Sequence, residues 1–134
     1  MGHGLWVVEI SKGNVKIIDT TNVSYGNLPR KEFEQFFGVP LDEVIPVYFD
    51  GTCPFLFYDE NSKENKIEAE HPKFKELVRK QDKIRNLLKK QSGLKEIMTI
   101  EDEPKIRGAI SKFEGSWLGT FVMYWLNGYY LFLD

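Results

Sequence analysis

A two-layer α+β fold, with a mainly antiparallel sheet covered by about three helices, is what this 134-residue sequence predicts. Three observations carry the expectation. Hairpin-like β-rich runs stand at both ends of the chain, helical patterns lie between them, and the regular βαβα alternation of a doubly wound sheet is missing. No repeat or linker interrupts the chain, so residues 1–134 are read as one domain with a core of its own.

Leu5–Ile10 and Val15–Thr20 flank Ser11-Lys12-Gly13-Asn14 and read as the opening hairpin. Asn27 is placed to cap a short helix that starts near Pro29, buries Phe33, Phe36 and Phe37, and stops at Gly38 and Pro40. Leu41–Val44 adds a helical turn. Val47–Phe49 and Phe55–Tyr58 read as short strands around a loop, and the polar stretch Asp59–Glu70 as a surface loop. Pro72 suits the first turn of a long helix running to about Gln91, with Ser92-Gly93 as its stop. Leu94–Ile100 reads as a strand. Glu101-Asp102-Glu103 then precedes a helix through Ile106, Ala109, Ile110 and Phe113. Trp117–Leu126 and Tyr129–Leu133 read as a closing hairpin turned at Asn127-Gly128, a favoured type I′ dipeptide. That turn interrupts an apolar stretch otherwise nearly long enough to cross a bilayer, so the expectation is a buried hairpin and no membrane.

Composition narrows the partners. Hydrophobic residues make up 42% and charged residues 28%, as in an ordinary globular protein. The formal net charge of −2 supplies no global attraction for nucleic acid, so such binding must come from local segregation of charge. A single cysteine, Cys53, excludes an internal disulfide framework and fits a reducing, cytoplasmic compartment. The first residues show no secretory pattern.

The helix from 72 to 91 is the most informative stretch. At about 100° per residue, Phe74, Leu77, Val78, Ile84 and Leu88 share one sector, while Lys75, Arg79, Lys83 and Lys90 fall opposite, with Asn86 among them. A column of cations on a rigid rod can follow phosphates and release their counterions. A solvated helix face also carries charge for solubility alone. Glu9, Asp19 and Asp50, at strand positions or ends, are a candidate set for a divalent metal, which with the basic helix would describe a metal-dependent nuclease.

Val47-Tyr48-Phe49-Asp50-Gly51-Thr52-Cys53-Pro54-Phe55 locally resembles the motif opening the DCC family of thiol–disulfide oxidoreductases, Asp-Gly-x-Cys-Pro-x-Cys after a strand. The resemblance covers about ten residues and implies a thioredoxin-like fold with Cys53 as a redox thiol. Leu56 stands where the family has its resolving cysteine, and two strands and a helix precede the motif. His71, directly before Pro72, suits a helix N-terminus better than a partner for Cys53.

Trp117, Phe121, Tyr124, Trp125, Tyr129 and Tyr130 load the final segment with more aromatic surface than one sheet face buries, which suggests an interface. The sequence thus favours a non-enzymatic binding protein with a protein partner or a second copy of itself. Nucleic-acid binding through 72–91 and metal-dependent cleavage are the alternatives. No cofactor is implied.

Overall fold

The computed structural model describes residues 2–49, 51–92, 104, 108 and 117–134. The expected strand at 94–100, the acidic run at 101–103 and the helix side chains at 106, 109, 110 and 113 lie outside the described residues, as does Asp50. In chain order the elements are β1 (Gly2–Ser11), β2 (Asn14–Ser24), a 3₁₀ turn (Tyr25–Asn27), α1 (Arg30–Phe37), α2 (Leu41–Val44), β3 (Leu56–Asp59), β4 (Glu64–Ile67), α3 (Pro72–Ser92), α4 (Trp117–Leu126) and β5 (Tyr130–Leu133). The α+β class and the antiparallel sheet are as the sequence predicts.

The opening hairpin turns on Lys12 and Gly13, with φ of 50° and 82°, the two left-handed residues of a type I′ turn. Its register shifts where Val7↔Asp19 gives way to Val8↔Ile17, so Ile18 is an extra residue that bulges β2. β5 pairs antiparallel with the other side of β1, giving the order β2-β1-β5. Val47 joins Leu133 in a parallel bridge at the far edge of β5. β3 and β4 form a separate two-stranded hairpin, so the polar stretch expected to be loop contains a strand, and Val47–Phe49 is not the partner of β3. Asn27 lies in the 3₁₀ turn. Pro29 occupies the cap of α1, without a side-chain cap bond.

The expected closing hairpin is a helix followed by a strand. Trp117–Leu126 is apolar in almost every position, and an unbroken apolar run has no period to separate a buried strand from a buried helix. Asn127-Gly128 ends the helix instead of turning a hairpin. Tyr129 N–H donates to Tyr124 C=O and Gly128 N–H to Trp125 C=O, both at 3.0 Å, with Gly128 at φ 90°. Those two bonds and that left-handed glycine make a Schellman motif.

Both faces of the sheet are covered. Leu5, Val7, Val23, Leu131 and Leu133 pack with α1, α2, α4 and the second half of α3 around the buried Trp125. Val8, Tyr130 and Phe132 point the other way, toward Phe55, Ile67, Phe74 and Leu77. This follows from the period of two in a strand: β1 and β5 are apolar at consecutive positions because each face meets its own core.

α3 lies beside the open edge of β5 and contributes to both cores, Phe74 and Leu77 to one, Ile84 and Leu88 to the other. Gln81 lies midway and is fully buried. Its amide oxygen accepts from Leu131 N–H at 2.8 Å and from the Trp125 indole at 3.0 Å. Its amide nitrogen donates to Leu131 C=O at 2.7 Å and Val44 C=O at 2.9 Å. The side chain thus completes the β5 ladder as a neighbouring peptide would. One turn on, Arg85 donates to Trp125 C=O at 2.6 Å and Tyr129 C=O at 2.7 Å, satisfying carbonyls at the end of α4.

Replacing Gln81 by Leu keeps the volume but leaves two backbone carbonyls, one N–H and the Trp125 indole unpaired. With each buried loss costing about 1–3 kcal/mol, urea unfolding should show a destabilisation on the order of 4 kcal/mol. A change below about 1 kcal/mol would contradict this account of the edge.

Candidate functional site

α3 begins where Pro72 fixes the first turn and His71 Nδ1 accepts the Lys73 N–H at 3.1 Å. His71 is therefore an N-cap, as its place in the sequence suggests. The buried stripe is Phe74, Leu77, Gln81, Ile84 and Leu88, spaced three and four apart. With that stripe turned inward, Lys75, Arg79, Lys83, Asn86 and Lys90 are all exposed. The column rises about 22 Å from Lys75 to Lys90 at roughly 1.5 Å per residue.

Among the described residues, carboxylates neutralise only part of this face. Lys75 pairs with Glu70 at 2.8 Å, both side chains well exposed, a geometry that contributes little to stability. Lys80 pairs with Glu76 at 3.1 Å, and this hydrogen bond, with the charge of Lys80, holds the Glu76 carboxyl below its usual range. Asp82 is taken by Arg85 at 2.9 Å and by the Tyr130 hydroxyl at 2.7 Å. Among the described residues no salt bridge reaches Arg79, Lys83 or Lys90.

A cleft of about 640 Å³ opens elsewhere, between the β1–β2 hairpin and the β3–β4 hairpin. Trp6, Val15 and Ile17 come from the sheet, and Phe57, Tyr58 and Lys63 to Ile67 from the hairpin. Phe57 and Tyr58 are 47% and 58% exposed, unusual for large aromatic side chains. Phe57 stands opposite Lys66 and Tyr58 opposite Asn65 across the strands, while Asp59 fixes the Lys66 ammonium at 2.8 Å. Trp6 stacks on Phe132 with ring centroids 5.9 Å apart. Gly4 leaves room for it, because a Cβ there would come within 3.0 Å of the indole nitrogen and of Asp134 C=O.

The other sequence-derived candidates are distributed differently. Glu9 stands opposite Lys16, and Asp19 opposite Val7, with Asp19 accepting the Tyr124 hydroxyl at 3.4 Å. Asp50, their proposed third partner, lies outside the described residues. Among the described residues no three His, Cys, Asp or Glu side chains form a metal-ligand group. Phe121 and Trp125 are completely buried and Tyr130 nearly so, which removes them from any surface. The excess aromatic area is absorbed in the core, where the Trp125 ring meets Phe33, Phe37 and Phe121. Trp117, Tyr124 and Tyr129 stay partly exposed.

Cys53 is buried. Burial pushes its thiol up to about 11, against smaller lowering by the Phe55 and Leu56 backbone N–H groups. A redox thiol needs the opposite shift. Two residues that organise the molecule, Gln81 and Arg85, were not singled out from the sequence. Gln81 had a signal, since a polar residue inside an apolar stripe must find buried partners. Arg85 had none, because its partners are backbone carbonyls.

Among the described residues no helix is long and apolar enough to cross a membrane. Compared with protein-family models, curated proteins and solved structures, the chain matches none.

Burial also raises Tyr48 to about 12, with Cys53, Glu76 and Asp134 adding to the effect. Each raised group is neutral when protonated, so the folded state retains protons that the unfolded state releases. The contribution to stability is complete below the ordinary thiol value of 9.0 and is lost as pH rises toward 11 and 12. Thiol labelling of the native protein near neutral pH should run about a hundredfold slower than that of the urea-unfolded chain. Equal rates would place Cys53 at the surface.

Proposed function

We propose that this is a non-enzymatic, cytoplasmic binding protein that holds nucleic acid on the exposed cationic face of α3. The observation that carries the reading is the column Lys75, Arg79, Lys83 and Lys90, exposed throughout and left without carboxylate partners at its last three positions among the described residues. In a chain of net charge −2 such local segregation is the form that phosphate binding must take. Lysine dominates this face, with Arg79 and Asn86 among it, and lysine meets phosphate as a point charge, whereas reading base edges in a groove takes several bidentate Arg, Asn or Gln. The binding proposed is therefore to backbone phosphates and sensitive to salt.

Retention on heparin and affinity for a mixed-sequence oligonucleotide should both fall steeply between 50 and 200 mM salt, by roughly tenfold or more for three to four phosphate contacts. Reversing Arg79, Lys83 and Lys90 to Glu should abolish retention without lowering the melting temperature appreciably, since all three are exposed. Retention that ignores both salt and reversal would end this reading.

A protein partner or a second copy is the other reading, supported by Phe49, Phe57 and Tyr58, each 47% exposed or more. For a chain of 15.6 kDa, light scattering separates the two. A dimer mass that collapses in Phe57→Ser, Tyr58→Ser favours self-association, and a monomer mass in both proteins excludes it.

A further inference from the structure

Asn127 is the one asparagine of the chain followed directly by glycine. That pair is chemically reactive, because the Gly128 nitrogen can close a five-membered ring on the Asn127 side chain and no Cβ on glycine hinders it. Once Gly128 N has lost its proton to a solvent base, it attacks Asn127 Cγ. The N–Cγ bond forms, the Cγ–Nδ2 bond breaks, and Nδ2 leaves as ammonia with a proton taken from water. Water then opens the succinimide at either carbonyl, giving aspartate or isoaspartate.

In the native fold the end of α4 holds every atom of this reaction. The nitrogen that must lose its proton donates it to Trp125 C=O at 3.0 Å. The leaving amide is fixed too, with Asn127 Nδ2 donating to Met123 C=O at 3.0 Å. Negative charge builds on Oδ1 during the attack, and this oxygen is buried without a hydrogen-bond partner among the described residues. An oxyanion placed there has no donor to stabilise it and no water to solvate it. Arg85 grips the Trp125 and Tyr129 carbonyls on either side and ties the turn to α3.

We infer that Asn127 is a modification site kept closed by the Schellman end of α4, and that it loses its amide only when that end opens. The product does not close the end again. An aspartate at 127 has no N–H for Met123 C=O and sets a carboxylate at the negative end of the helix. Isoaspartate lengthens the main chain by one methylene between Tyr124 and Tyr129, whose 3.0 Å bond spans the turn.

The native protein and the urea-unfolded chain are held at one mildly alkaline pH, and amide loss at each asparagine is followed by peptide mass spectrometry. Asn61, exposed in the β3–β4 turn and followed by Ser62, reports the intrinsic chemistry in each solvent. Relative to Asn61, Asn127 should react roughly tenfold or more slowly in the native protein than in urea, because local opening limits it. The Asn127→Asp variant should melt about 5 °C below the original chain. Equal relative rates in the two solvents would overturn the inference, as would an Asn127 amide that outlasts that of Asn61 in urea. An Asn127→Asp variant that melts with the original chain would overturn it too, since the end of α4 would then close around the product.

Discussion

The Gln81 amide determines where the rest of the molecule can go. A sheet that ends at β5 leaves the N–H and C=O of Leu131 in an apolar interior, where unpaired backbone groups cost free energy. A side-chain amide has the same donor and acceptor as a peptide, so Gln81 closes that edge from a helix. Its two remaining bonds reach the end of α2 through Val44 and the centre of the larger core through Trp125. One residue thereby sets the position of α3 along β5, and apolar packing alone, being non-directional, would not. A satisfied buried polar group of this kind specifies one arrangement.

Arg85 extends the same logic by one helical turn. Its guanidinium meets Trp125 and Tyr129 carbonyls, Asp82 and the Tyr130 hydroxyl, and lies 4.5 Å from the centre of the Tyr130 ring. The C-terminal end of α4 therefore carries a cation where its macrodipole is negative. Ties at 81 and 85 leave α3 no freedom to rotate about its axis. The outward position of Lys75, Arg79, Lys83 and Lys90 follows from what the opposite face of the helix must do.

The two candidate surfaces differ in how they arise. The cationic column is local, produced by one helix and its 3.6-residue period, and it was legible once the helix was recognised. The cleft is assembled from residues distant in sequence, Trp6 and Lys16 from one hairpin and Phe57, Lys63 and Lys66 from another. The pairing of β3 with β4, which puts Lys66 across from Phe57, was hidden because Glu64–Ile67 lacks the alternation and β-branched content of a typical strand.

By itself the sequence determined what depends on short-range chemistry. The Lys12-Gly13 turn, the stop of α1 at Gly38, the start of α3 at His71-Pro72 and the cationic face of α3 are all written in local spacing and backbone preference. Only the tertiary structure decided whether Trp117–Leu126 is strand or helix. A segment apolar on every side obtains its conformation from what surrounds it, and Gly128, suited to a hairpin turn or a Schellman motif, does not choose between them. The role of Gln81 was decided in the same way, because a buried amide takes its meaning from partners 37 to 50 residues away.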